Sequence, residues 1–226
     1  VWMGSCCACG ARPVCGPAGA RRLVGRRVSV EALMEEIRSD RPFFEESGGG
    51  VTFSGGEPLA QADFLLELLA ACKAEGIHPI IGCEVYVARR TRFDKVHEYD
   101  AESRHLVLLC KNETGYRNLC YLVSAAFTEG FYVKPRIDWP LLREHAEGLV
   151  CLSGCLAGYI PQRIVRGEYE AAREKAQELA ALFGEGNFCL EIQHHGIPQE
   201  AEAARGLIRL PQDTGISLAV TNDAHY

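Results

Sequence analysis

The chain has 226 residues, of which 47% are hydrophobic and 24% charged, with a formal net charge of -6. These are ordinary globular values; they exclude a disordered chain, and the acidic balance excludes a global basic field as the basis of nucleic-acid binding. The length accommodates one α/β domain or two small ones, and no apolar run is long enough to span a bilayer, so the expected location is the cytoplasm, with no membrane partner.

In chain order, the first 30 residues carry five arginines and no acid, and residues 4–20 are rich in Cys, Gly, Ala and Pro without a hydrophobic period. Cys6 and Cys9 fit the first pair of the ferredoxin pattern C-x2-C-x2-C-x3-C-P, but Arg12 holds the third position and Cys15 is followed by Gly16 before Pro17. Cys6, Cys9 and Cys15 therefore read as a degenerate iron–sulfur remnant in a loose segment covering residues 1–28. Cys7 lies in the same cluster, and the other seven of the eleven cysteines are scattered singly through apolar segments, where a reduced thiol behaves as a small hydrophobe.

Ser29 caps a predicted helix with Val30, Leu33, Met34 and Ile37 on one face, ending near Asp40 and Pro42. A short β-prone run, Val51 to Phe53, sits between glycines in GGGVTFSGGEPL. Phe64, Leu65, Leu68, Leu69 and Cys72 recur at helical spacing up to Gly76, which suits a left-handed cap. Pro79 forbids more helix, and Ile80 to Val87 reads as a covered strand interrupted by Glu84. A carboxylate in such a run requires a cation, a metal or a strand end open to water.

Farther on, strands are predicted at His105–Cys110, Leu149–Leu152, Phe188–Ile192 and Leu218–Thr221. Helices begin at Asn112, with Tyr116, Leu119, Leu122 and Val123 inward, and at Asp138. Another runs from Glu168 to Phe183, with Ala172, Ala176, Leu179 and Phe183 inward, and a last one from Gln199 to Leu210, stopped by Pro211. This alternation predicts an α/β barrel or an open parallel sheet with function at the C-terminal ends of the strands. Glu84, Cys155, Asp223 and His225 fall just beyond strands. Glu191, His194 and His195 are placed to join them, whereas His105 precedes its strand. A mixture of carboxylate, imidazole and thiolate suits zinc, manganese or iron, and clustered ions of this kind serve phosphate-ester hydrolysis.

Two resemblances accompany these readings. The string DRPFFEESGGGVTFSGGEPL, within residues 6–78, resembles radical S-adenosylmethionine enzymes that activate glycyl-radical enzymes. It implies a fragment of that family's (βα) barrel over 29–78, with Gly55, Gly56, Glu57 and Pro58 on S-adenosylmethionine. The C-x3-C-x2-C that would hold a 4Fe-4S cluster has no counterpart, so no reductive cleavage of the cofactor is expected.

From about Cys72 to Tyr226, including IIGCEVYVARRTRFDKVHEYDAESRHLVLLCKNETGYRNLCYLVSAAFTEGFYVKPRIDWPLL, the sequence resembles the PHP domain at the front of the bacterial replicative DNA polymerase III alpha subunits. This implies a partial PHP-type (βα) barrel over 79–226. It also implies a divalent metal, zinc or manganese, on Glu84, His105, Cys155, Asp223 and His225. The family's His-x-His and Thr-Asp-His have no equivalent here, and its polymerase aspartates lie downstream. The implied function is thus a piece of a replicative polymerase with a phosphoesterase-like, exonuclease-like metal site, inactive alone, the alternatives being a fragment of a radical S-adenosylmethionine activating enzyme or a noncatalytic structural module. DNA and the other polymerase subunits are partners of the full-length family, and none is assigned to this piece. The resemblances meet between Ala70 and Pro79, so the chain reads as chimeric.

Overall fold

The computed structural model describes residues 27–53 and 61–221. The described residues fall into two compact units, one ending at Ile80 and the other beginning at Ile81.

In the first unit, helix α1 (Val30–Ser39) begins where Ser29 Oγ accepts from the Ala32 amide at 3.2 Å, the cap that the sequence calls for. Helix α2 (Arg41–Ser47), strand β1 (Gly50–Val51), helix α3 (Ala62–Ala74) and strand β2 (His78–Pro79) follow, with β1 and β2 parallel. Met34 and Ile37 from α1 pack on Leu68 and Cys72 from α3 and on Ile77. The apolar spacing read from the sequence thus becomes one small core. Glu75, at the end of α3, receives Arg38 at 2.7 Å and Arg41 at 3.0 Å. The predicted β run is shorter than its sequence suggested, because only Gly50 and Val51 find a partner strand.

The second unit contains β3 (Gly82–Ala88), α4 (His97–Asp100), β4 (Ser103–Cys110), α5 (Glu113–Thr128), β5 (Arg136–Ile137), α6 (Trp139–Glu144), β6 (Leu149–Leu152), α7 (Tyr159–Val165), α8 (Tyr169–Phe183), β7 (Phe188–Ile192), α9 (Pro198–Thr214) and β8 (Ser217–Val220). The six strands form one sheet in the order β5-β3-β4-β6-β7-β8. This is the mixed α/β architecture that the strand–helix alternation predicts, with one departure: β4 is antiparallel to both β3 and β6, while all other neighbours are parallel. Strand direction is a property of tertiary connection, and nothing in the residues of β4 announces it.

The helix caps hold as read. Asn112 Oδ1 accepts from the Gly115 amide at 3.0 Å, and Asp138 Oδ1 from the Leu141 amide at 3.1 Å. Ala172, Ala176, Leu179 and Phe183 line the buried face of α8 against the sheet. Leu108, Leu122, Leu142, Leu190 and Leu210 are fully enclosed, and each such side chain contributes up to about 1.5–3 kcal/mol through removal from water.

Two local expectations need correction. Tyr116 is exposed, because the inner stripe of α5 runs through Gly115, Leu119, Leu122, Ala125 and Ala126. Pro211 lies inside α9, which continues to Thr214 and ends at Gly215 in the left-handed conformation. The proline costs the final turn one backbone hydrogen bond, and buried Leu207 and Leu210 hold that turn against the core. Among the described residues, no helix is long and apolar enough to cross a membrane.

Candidate metal centre

Because β4 runs against its neighbours, its beginning lies beside the end of β3: Tyr86 pairs with His105 and Glu84 with Val107. His105, which the sequence places awkwardly before its strand, is thereby brought to the ends of the parallel strands. Glu84 is not beyond a strand, as the sequence suggested, but within β3. Its Oε1 lies 3.1 Å from His105 Nδ1. The Tyr86 ring meets the imidazole edge-on, with centroids 4.8 Å apart, and Lys134 Nζ sits 4.2 Å from the centroid of that ring.

The third group arrives on the loop after β6. His105 donates its amide to Ala157 O at 3.2 Å, and Gly158 donates to Cys155 O at 2.8 Å, so the segment Ser153–Gly158 is laced across the start of β4. Gly154 allows this crossing. Its φ is +82°, and a Cβ there would stand 2.5 Å from the carbonyl oxygen of His105. The result places Cys155 Sγ 3.6 Å from His105 Nδ1. The opposite side of the loop is fixed through Ser153, whose amide donates to Cys189 O at 3.1 Å and whose hydroxyl accepts from the Glu191 amide at 2.8 Å.

One ligand atom each from Glu84, His105 and Cys155 lies within 4.8 Å of the others, and all three residues are half-buried. In a tetrahedral shell with metal–ligand bonds of about 2.0–2.3 Å, neighbouring donors stand roughly 3.3–3.8 Å apart. The observed spacings require only small adjustment to meet that, and the oxygen, nitrogen and sulfur set suits a borderline-soft divalent ion. The residues present therefore fit a metal. The Cys155 and Glu84 hydrogen bonds raise the His105 pKa from 6.5 to about 9, against the opposing effect of burial. A cation entering the cluster would replace a proton on that imidazole.

The remaining candidates divide plainly. Asp223 and His225 lie outside the described residues, as do Gly55, Gly56, Glu57, Pro58, Cys6, Cys9 and Cys15. His195 is held elsewhere: its amide donates to Glu200 Oε2 at 2.6 Å and its Nδ1 lies 2.9 Å from Glu200 Oε1, at the start of α9. His194 is exposed. Glu191 is buried, and its Oε1 accepts from Thr221 Oγ1 at 2.5 Å and Gln193 Nε2 at 3.0 Å; it is outside the cluster of three.

Sequence reasoning missed the arginine that organises the other side of this sheet edge. Arg136 on β5 is fully buried and donates to four backbone carbonyls: Gly130 at 3.1 Å, Asp100 at 3.0 Å, Arg92 at 3.2 Å and Asp94 at 2.9 Å. Arg92 in turn holds both oxygens of Asp138 and, at 2.7 Å, Glu129. An arginine in KPRIDW carries no local sign of burial, since its partners are carbonyls of distant loops.

Fold and cluster together define a mixed α/β domain with an oxygen–nitrogen–sulfur corner suited to a divalent metal. The chain belongs to the PHP domain family, whose profile matches residues 59–195. That match begins within the 29–78 stretch. The chain is also similar to the DNA polymerase III subunit alpha of Treponema pallidum, 49% identical over 178 residues, covering 76% of this chain and 15% of that protein. The corresponding subunit of Thermus aquaticus is 44% identical over 163 residues, covering 71% and 13%. That of Chlamydia muridarum is 40% identical over 183 residues, covering 71% and 15%. The chain thus spans only about 15% of the length of the curated relatives it matches.

Proposed function

We propose that this chain supplies the metal-binding PHP module of a bacterial replicative DNA polymerase alpha subunit, with zinc or manganese held by Glu84, His105 and Cys155, completed by Asp223 and His225. The observation that carries this reading is the convergence of the first three on one corner, with His105 Nδ1 at 3.1 Å from Glu84 and 3.6 Å from Cys155. Three elements remote in sequence bring these groups together, and the glycine at position 154 permits the contact. A divalent ion there supplies Lewis acidity and a means of activating water, the chemistry that phosphate-ester hydrolysis requires.

Within the protein, Glu84 and Cys155 orient the imidazole, and the Tyr86 ring closes one side of it. The thiol favours zinc over magnesium or calcium, which take oxygen ligands. Free thiols at Cys72, Cys83, Cys110, Cys120, Cys151, Cys155 and Cys189 suit the reducing conditions of the cytoplasm. The similarity to polymerase subunits supports DNA and the other polymerase subunits as partners of the complete protein. Hydrolysis by the chain alone is expected to be slight, because the His-x-His and Thr-Asp-His of the family are missing from its sequence and two-metal chemistry needs ions held about 3.5–4 Å apart.

The test is metal content of the full chain after dialysis against zinc or manganese, beside His105→Ala and Glu84→Gln. Retention by the parent and loss of about tenfold or more in affinity in either variant supports the assignment. Equal retention by all three chains overturns it.

A further inference from the structure

A second polar feature of the larger unit is a cavity of about 450 Å³ at the start of β4, lined by Glu102, Arg104, Lys134, Leu156, Gln162 and Arg166 among others. Its volume falls in the usual range for small-molecule sites, about 300–1,000 Å³. Arg104 is only 9% exposed, yet among the described residues its nearest carboxylate is Glu102 at 3.9 Å, too far for a hydrogen bond. Glu102 is itself largely in water and stands equally far, 3.9 Å, from Arg89. One solvated carboxylate thus serves two guanidinium groups, and an exposed pair of this kind contributes little.

A nearly enclosed guanidinium in this condition is stabilised by an anion with several acceptor oxygens, and its planar fork matches phosphate. Lys134 and Arg166, both exposed, add two cations to the same lining. Gln162 supplies a separate indication, because its Oε1 is buried without a hydrogen-bond partner among the described residues. A phosphate cannot satisfy that acceptor. A sugar hydroxyl or a base N–H can, and Leu156 and Val165 give an apolar wall beside it.

We propose that this cavity is a nucleotide-phosphate subsite, in which Arg104 with Arg166 and Lys134 takes the phosphate of a nucleotide unit and Gln162 accepts a hydrogen bond from its sugar or base. The subsite adjoins His105 but uses none of the three candidate metal ligands for recognition. It is therefore separable from the metal assignment above: nucleotide binding by metal-stripped protein tests the cavity, and metal content tests the cluster.

The experiment is calorimetric titration of the full, metal-stripped chain with thymidine 5′-monophosphate and with thymidine. The monophosphate is expected to bind at least about tenfold more tightly, with affinity falling as salt rises. Arg104→Gln is expected to remove most of that difference. Since Arg104 is nearly buried, its variant is checked by thermal unfolding, and the rim variant Lys134→Gln/Arg166→Gln, whose parent side chains are exposed, gives a second reading with a loss of about threefold or more. The proposal is overturned if the monophosphate binds no better than thymidine, if it binds only after metal is restored, or if the rim variant binds as tightly as the parent chain.

Discussion

Two polar clusters on the β5-β3-β4 side of the larger unit meet the cost of burial in opposite ways. Around Arg136 each donor has a designated acceptor: four backbone carbonyls take the guanidinium, while Arg92 satisfies Asp138 and Glu129. Around His105, a carboxylate, an imidazole and a thiol face one another, and the imidazole is left with a strongly raised proton affinity. The first arrangement is complete as it stands and fixes the chain from Arg92 to Asp100. The second is a set of electron-pair donors aimed at one point, competent to exchange a proton for a metal ion. Partner identity, rather than the number of polar groups, separates a structural knot from a candidate site.

That contrast is open to breakage by substitution. Arg136→Met should have the largest effect on stability, about 3–5 kcal/mol, because the carbonyls it satisfies would be left buried and unpaired. Urea unfolding of the full chain measures it, and a change below about 1 kcal/mol would remove Arg136 from its organising role. Gly154→Ala should follow at about 1–3 kcal/mol, through its positive φ and the close approach to the His105 carbonyl. It should also lower zinc affinity, because relief of the contact moves Cys155. Unchanged affinity would mean that the loop tolerates the methyl without shifting the thiol. Cys155→Ser should change stability by less than about 1 kcal/mol, since the side chain is half-buried and roughly isosteric, while still weakening zinc binding.

The smallest effect is confined to acid. Arg90 hydrogen bonding lowers the Asp100 pKa from 3.8 to about 2, helped by the Val96 amide and by the charge of Arg136, against desolvation. A carboxyl whose folded pKa is depressed contributes stability that is fully present above its unfolded value and is lost as pH falls through the folded one. The contribution should therefore disappear between about pH 4 and pH 2, the window those two values set. Asp100→Asn should flatten the stability profile over that window alone, and an identical profile for parent and variant would contradict it.

The two clusters were unequally legible in the sequence. Ser29, Asn112 and Asp138 announce their helices because a cap is a contact over three residues. Glu84, His105 and Cys155 were recognisable as candidate ligands from residue type and from resemblance to PHP domains. Strand order places Glu84 and Cys155 on one rim, but not His105, whose arrival there depends on β4 running antiparallel. Helical spacing of apolar residues alone turns Tyr116 inward, whereas α5 buries the face of Gly115, Leu119, Leu122 and Ala126, with Gly115 set close against the Gly148 carbonyl. Local propensity makes Pro211 a stop, but the burial of Leu207 and Leu210 carries α9 past it to Thr214. Arg136 and Arg104 were invisible as buried groups, since arginine is ordinarily a surface residue and their surroundings come from distant segments.

The central claim is that Cys155 and His105 share one metal ion. Cobalt(II) titration of the full chain tests it most directly, because a thiolate ligand gives the bound ion an intense near-ultraviolet charge-transfer band. The account predicts that band in the parent chain, its displacement by zinc, its loss in Cys155→Ser and weakened cobalt binding in His105→Ala. A parent chain that binds cobalt without the band, or a Cys155→Ser chain that keeps it, would contradict the assignment.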